Sequence, residues 1–276
     1  MKYFCVIGEP IEHSLSPVMH NAVFKKHKLE CKYLAFRVKK EELENAVRGL
    51  KALGFKGFNV TIPHKEKIIE YIDELSKEAR LIKAVNTVKI DKKLIGYNTD
   101  GIGAVKSLKS LGEVKDKKII ILGAGGAARA IAFSLALEKT REIIIANRTL
   151  EKAKKLAKEV EEKTGVKTHA CSIDKKVLKE KIKESEILIN CTSVGMYPDI
   201  NSTLVEKNML KSDLVVMDIV YNPLETRLLK EAKKAGAKII NGVEMLVYQG
   251  AEALKIWGVE PDIELMRQAV LKELKQ

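Results

Sequence analysis

Short unbroken apolar runs alternate with longer segments whose apolar residues recur every three or four positions, and that alternation predicts an α/β chain. Strands are expected at Tyr3 to Gly8, Tyr33 to Val38 and Gly57 to Val60, and helical segments at Pro17 to Lys28, Glu41 to Leu53 and Lys65 to Tyr71. Val85 to Ile90 and Leu94 to Tyr97 read as a hairpin around Asp91-Lys92-Lys93, after which Asp100 opens a helix through Leu111. Beyond a polar seam at residues 111–116 the rhythm becomes strand, helix, strand, helix. Its strands are Lys118 to Leu122, Glu142 to Ala146, a short one near Lys167, Ile187 to Asn190, Leu214 to Ile219 and Lys238 to Ile240, with a helix at Glu225 to Ala235. Their continuous apolar character is that of a parallel sheet covered on both faces. Two helical segments remain, Val243 to Trp257 and Pro261 to Lys275. So short a tail cannot build a core of its own and must pack on something; docking back on residues 1–100 would make a discontinuous first domain with the nucleotide domain inserted.

One strand of the second half empties into a glycine turn. Lys118-Ile119-Ile120-Ile121-Leu122 is followed by Gly123-Ala124-Gly125-Gly126-Ala127-Ala128, the strand, turn and helix of a dinucleotide phosphate site. Gly123 permits the sharp turn, Gly125 lets backbone N–H groups approach a pyrophosphate, and Ala128 takes the close-packing third position of the pattern. The helix N-terminus adds partial positive charge. The next strand ends in Asn147-Arg148-Thr149, about 20 residues beyond the glycines, where an NAD site would place a carboxylate on the ribose. Asn147 bonds a ribose without repelling a phosphate, and Arg148 offers a planar cationic fork, so the expected cofactor is NADP. The plainer reading has Thr149 capping the next helix and Arg148 solvated.

Composition narrows the class. The chain is 46% hydrophobic over 276 residues, enough for two domains. Its net charge of +13 is spread along amphipathic helices rather than gathered in one block, and aromatics are 5%, which argues against a nucleic-acid partner. No apolar run approaches membrane-spanning length and no secretory leader is evident. Cys5, Cys31, Cys171 and Cys191 lack paired spacing and read as reduced thiols of a cytoplasmic protein. His13, His20, His27 and His64 lack the spacing of a zinc site, so no metal is expected. There is also no G-x-S-x-G elbow.

The remaining chemistry lies in the first half. Ser16-Pro17 is a strong helix start, with Ser16 as its cap; Ser14 has no such role, and together the two hydroxyls could hold a carboxylate. Thr61 and Lys65, in Asn59-Val60-Thr61-Ile62-Pro63-His64-Lys65, follow the end of a strand, where α/β proteins place ligands. Asn86-Thr87 interrupts an apolar strand with polar groups that must find partners. Asp100 is a helix cap or something more.

Taken in order, these motifs resemble those of the shikimate dehydrogenase family over almost the whole length. Further marks are Ile7 to Pro17, Ala84-Val85-Asn86-Thr87, Gly96 to Gly101, Asn190 to Met196, Asp218 to Pro223 and Asn241 to Ala251. The resemblance implies a Rossmann-type doubly wound NADP domain, residues 101–242, inserted into a discontinuous α/β substrate domain made of residues 1–100 and the helices of 243–276, with an active cleft between the two. It implies that Ser14 and Ser16 hold a substrate carboxylate, that Thr61, Lys65, Asn86, Asp100 and Gln249 contact ring hydroxyls, and that Tyr221 lines the same pocket. Gly123, Ala124, Gly125, Gly126 and Ala127 would cradle the pyrophosphate. Asn147, Arg148, Thr149 and Lys152 would hold the adenosine phosphate, with Ile219 and Gly242 on the nicotinamide side. The implied reaction is NADPH-dependent interconversion of 3-dehydroshikimate and shikimate, with Lys65 and Asp100 as the catalytic pair. Lys65 acts either as a base or as a charged electrophile with Asp100 managing the proton. A quinate-accepting relative that uses NAD and a non-catalytic metabolite sensor are the rivals. The first is opposed by Arg148 and the second by the presence of both Lys65 and Asp100. Oligomeric state is not fixed by the sequence; a homodimer is compatible with it.

Overall fold

The computed structural model describes residues 1–275. The chain divides into two compact units, one of Met1–Asp100 together with residues from Val247 onward, the other of Gly101–Leu246. The first opens with β1 (Lys2–Gly8), α1 (Ser16–Lys26), β2 (Cys31–Arg37), α2 (Leu43–Ala52) and β3 (Gly57–Val60). It continues through β4 (Glu74–Leu75), α3 (Lys77–Ile82), β5 (Thr87–Ile90) and β6 (Leu94–Tyr97) to Asp100, the first residue of α4 (Asp100–Lys109), whose remainder lies in the second unit. The second unit then runs β7 (Lys118–Leu122), α5 (Gly126–Leu137), β8 (Glu142–Ala146), α6 (Leu150–Thr164), β9 (Lys167–Cys171), α7 (Lys175–Lys183) and β10 (Ile187–Asn190). It ends with β11 (Val215–Asp218), α8 (Arg227–Lys234) and β12 (Lys238–Ile240), and α9 (Gly242–Ile256) and α10 (Ile263–Glu273) close the chain.

In the second unit the six strands lie in the order β12-β11-β10-β7-β8-β9, and every pairing is parallel. Read from the other edge, that is the 3-2-1-4-5-6 order of a dinucleotide-binding sheet, whose direction of winding reverses between β7 and β10. The apolar runs explain the double cover. Ile120, Leu122, Ile144, Leu188 and Val216 face a core shared with Leu178, Ile182, Leu228 and Leu229 of α7 and α8. Ile119, Ile121, Ile143 and Ile145 alternate with them on the strands and are equally buried.

The first unit carries a mixed sheet, β2-β1-β3-β5-β6-β4. β1 pairs in parallel with β2 and β3, while β5 runs antiparallel to β3 and β6. Its core gathers Cys5, Ile7, Val47, Leu50, Phe58, Val60, Val85 and Val88. From Val247 onward the C-terminal helices belong to this unit. α10 packs along α1. Trp257, just after α9, donates from its indole nitrogen to the carbonyl of Val88 at 3.0 Å and packs against Gly57, where any Cβ would collide with the ring.

Several local expectations need correction. Ser16 is not the cap of α1: the cap position is Leu15, with no side-chain bond, and Ser16 is already helical. Lys65 to Tyr71 forms no α-helix, only a 3₁₀ turn at Lys67–Tyr71, because the carbonyl of Lys65 is taken by the Val85 N–H at 2.7 Å and cannot start a helical ladder. Short α3 and α7, absent from the sequence reading, each start at a side-chain cap, Ser76 and Asp174.

Candidate active site

Lys65 follows β3 and Asp100 begins α4. The Lys65 ammonium nitrogen donates to Asp100 Oδ2 at 2.7 Å, with side-chain exposures of only 16% and 7%. The other carboxylate oxygen accepts from Asn86 Nδ2 at 2.9 Å, and the Asp100 backbone N–H donates to Asn98 Oδ1 at 3.1 Å. Asp100 is thus no simple cap; both its oxygens are spent on side chains of neighbouring elements. Asn86, just before β5, is held by three directions at once. Its carbonyl oxygen accepts from the Thr99 backbone at 2.7 Å, and its amide nitrogen donates to Thr99 Oγ1 at 3.0 Å and reaches Gln249 Oε1 on α9 at 3.5 Å. Lys65, Asp100, Asn86 and Gln249 are therefore one hydrogen-bonded cluster within the first unit.

The remaining expected residues of that unit stand around its β1 and β3 ends. Thr61 follows β3, its backbone N–H bonded to Ile7 at the end of β1. Ser14 is half-buried and its hydroxyl accepts from the Ser16 N–H at 3.4 Å. Ser16 is buried. His64 is buried with its ring on the Val38 carbonyl at 2.7 Å, which makes it a structural group. Among the described residues no group of three or more His, Cys, Asp or Glu side chains is arranged to hold a metal ion.

In the second unit the glycine turn joins β7 to α5 at the switch point of the sheet. Gly123 has φ +109°, a region that disfavours other residues, and a Cβ there would press the Cys191 carbonyl at 3.2 Å. Gly125 is different. Its φ of −89° suits any residue and a Cβ would meet nothing within 4 Å, so neither backbone nor packing requires glycine. The open backbone there leaves room for a ligand to approach, the fit expected of a pyrophosphate cradle. Ala124, Gly126 and Ala127 are half-exposed around it. Asn147 ends β8 and donates to the Thr149 carbonyl at 2.9 Å, while Arg148, Thr149 and Lys152 are exposed. Thr149 occupies the cap position of α6 but makes no side-chain cap bond. Glu151, the carboxylate nearest to Arg148 in sequence, is engaged by Lys154 at 2.8 Å. Ile219 and Gly242 come together: a Cβ on Gly242 would meet the Ile219 and Val220 carbonyl oxygens at 2.5 Å. Tyr221, two residues beyond Ile219, is half-buried in this unit.

Two groups carry more than the sequence suggested. Asp218, at the end of β11, is fully buried and accepts from Asn190 at 2.9 Å, the Val220 N–H at 3.0 Å and Thr226 at 2.7 Å. Burial raises its carboxyl to about 6, with those donors opposing. Tyr33 on β2 is the other. A carboxylate closing an apolar strand, and a tyrosine on an inward strand position, were the available signals.

A doubly wound nucleotide unit with an open glycine turn, joined in one chain to a unit in which a half-buried lysine meets a buried carboxylate, defines a dinucleotide-linked oxidoreductase. Comparison with known proteins gives the lineage. Residues 6–88 match the shikimate dehydrogenase substrate binding domain, residues 106–227 the shikimate/quinate 5-dehydrogenase domain, and residues 242–271 the shikimate 5'-dehydrogenase C-terminal domain. The shikimate dehydrogenase (NADP(+)) of Methanocaldococcus jannaschii is 55% identical over 99% of this chain and 97% of its own. A crystal structure of a shikimate dehydrogenase in complex with NADP+ superposes with a TM-score of 0.93 at 53% identity, covering 100% of this chain and 96% of that one. The Thermus thermophilus shikimate 5-dehydrogenase in complex with NADP(H) and shikimate gives 0.88 at 36% identity, with 99% of both chains covered. The chain belongs to the shikimate dehydrogenase family, and the resemblance read from its motifs is borne out. No helix is long and apolar enough to cross a membrane among the described residues.

Proposed function

We propose that the chain catalyses the reversible NADPH-dependent reduction of 3-dehydroshikimate to shikimate, in a cytoplasmic setting that keeps its thiols reduced. The observation that carries this reading is the pair of half-buried Lys65 and buried Asp100 at 2.7 Å, cross-braced by Asn86 and Gln249. NADPH, when bound, supplies the hydride. Lys65 Nζ gives a proton to the ketone oxygen as it gains negative charge, and takes one from the ring alcohol in the reverse direction. Asp100 fixes where that nitrogen points. Asn86, Thr61 and Gln249 supply neutral donors and acceptors suited to ring hydroxyls. Ser14 and Ser16 offer two hydroxyl groups to the carboxylate, and Tyr221 is assigned to the substrate as well. On the cofactor side, Gly123 to Ala127 hold the pyrophosphate through backbone N–H groups. Asn147, Arg148, Thr149 and Lys152 receive the 2'-phosphate end, and Ile219 and Gly242 the nicotinamide.

The test is a spectrophotometric assay of NADP reduction with shikimate and with quinate, repeated with NAD. Turnover with shikimate and NADP well above the other three combinations is expected. Comparable rates with quinate, or a preference for NAD, would replace this reading with that of a broader quinate/shikimate enzyme. No turnover with any pair, alongside measurable shikimate binding, would favour a sensor.

A further inference from the structure

We propose that the buried Tyr33 hydroxyl is a positioning group for the catalytic pair, acting on Asp100 through a one-directional chain of hydrogen bonds over Asn59, Thr87 and Asn86. This inference rests on the assignment of Lys65 and Asp100 made above.

Two backbone groups that have no choice of role fix the direction. The Asn86 carbonyl can only accept, so the atom of Asn59 that reaches it at 3.1 Å is the amide nitrogen, and the Asn59 oxygen must face the other way. The Thr99 backbone N–H can only donate, so the atom of Asn86 it meets at 2.7 Å is the oxygen. With both amides pinned, one choice is left: the Thr87 hydroxyl has Asn86 Oδ1 at 3.1 Å and Thr99 Oγ1 at 3.3 Å within reach, and the shorter contact completes the series. The Tyr33 phenol donates to Asn59 Oδ1 at 2.6 Å, and Asn59 Nδ2 donates to Thr87 Oγ1 at 2.9 Å. The Thr87 hydroxyl donates to Asn86 Oδ1 at 3.1 Å, and Asn86 Nδ2 donates to Asp100 Oδ1 at 2.9 Å. Every proton in the series points toward the carboxylate. Bonds aligned in this way polarise one another, and the anion at the end is where their dipoles are felt.

All the links are buried, so water cannot replace a missing one. β5 brings Thr87 directly opposite Asn59 in the antiparallel register, which is why the relay crosses the sheet at this point.

Tyr33→Phe removes only the hydroxyl. The ring keeps its stack on His20, with centroids 4.4 Å apart, and its place beside Trp257. Thr87→Val breaks the chain at a different link and stands in for it should Tyr33→Phe fail to fold. Each variant is expected to lower kcat roughly three- to tenfold, the scale of one lost hydrogen bond, with KM for shikimate changing much less. The deciding measurement repeats Tyr33→Phe in an Asp100→Asn background. If Tyr33 acts through Asp100, its effect on kcat disappears there. A loss that multiplies undiminished in the double variant, or a Tyr33→Phe enzyme with unaltered kcat and only a lower Tm, overturns the relay. Lys65→Ala separates this from the parent reading. A crippled Lys65→Ala beside a silent Tyr33→Phe sinks the relay alone, whereas full turnover in Lys65→Ala sinks the catalytic assignment and the relay with it.

Discussion

The two units build their sites in opposite ways. In the first, function is crowded into buried polar side chains, and Asp100, Asn86, Asn59 and Thr87 each spend nearly all their hydrogen-bonding capacity on one another. In the second, the features proposed to bind cofactor are a glycine whose Cβ would meet nothing and cationic side chains standing in solvent. A buried network holds its groups in place before any ligand arrives, so it suits a proton that must be delivered to one atom. An open turn with exposed charges suits a large anion that comes and goes. Losses within the buried network of the first unit should therefore fall on kcat, and losses at the open turn of the second on cofactor affinity.

Lys65→Ala gives the largest expected effect, a fall in kcat of about 10²–10⁴-fold, the usual worth of a positioned acid–base group. A large KM increase at preserved kcat would turn Lys65 into a binding residue and erase the contrast. Asp218→Asn comes next and probes the one buried carboxylate of the open-site unit. Its folded-state pKa of about 6 lies above the ordinary 3.8, so the stability tied to the protonated form is full below about 4 and lost as pH rises through 6. Relative to the parent, Asp218→Asn should thus gain up to about 3 kcal/mol between pH 4 and pH 7, read as a Tm difference that widens with pH. A difference independent of pH would mean that Asp218 titrates normally. Arg148→Leu should weaken NADP roughly ten- to a hundredfold while sparing NAD, the scale of one charge-assisted hydrogen bond. Equal losses with both cofactors would remove Arg148 from the 2'-phosphate. The smallest change is expected for Ser14→Ala, about tenfold in the KM for shikimate with kcat nearly kept. An unchanged KM would take Ser14 out of the carboxylate site.

The same contrast decides what could be read in advance. Continuous apolar strands and the glycine turn made the parallel sheet legible, and the leftover C-terminal helices pointed to their docking on the first unit. Asn86-Thr87 announced itself because two polar residues in an apolar strand need partners. Tyr33 and Asp218 did not, since a tyrosine on a strand and an acid at a strand end have many uses, and only the fold shows which donors surround them. Ser16 was misread for a related reason: serine before proline at a helix start is the pattern of a cap, yet the turn begins one residue earlier, at Leu15. Lys65 to Tyr71 looked helical by periodicity until a long-range bond from Val85 claimed the Lys65 carbonyl. α3 and α7 could have been found from Ser76 and Asp174, whose caps are local signals.

Trp257 against Gly57 also sets an order of events during synthesis. The nucleotide unit is one uninterrupted stretch, Gly101–Leu246, and has all its strands once Leu246 has left the ribosome. The sheet begun by the N-terminal residues must wait, its β3 bare, until the indole arrives from almost the far end of the polypeptide. Nascent chains should accordingly gain protease resistance in the middle of the sequence before its beginning, and the newborn enzyme should acquire its grip on the coenzyme before its power to turn anything over.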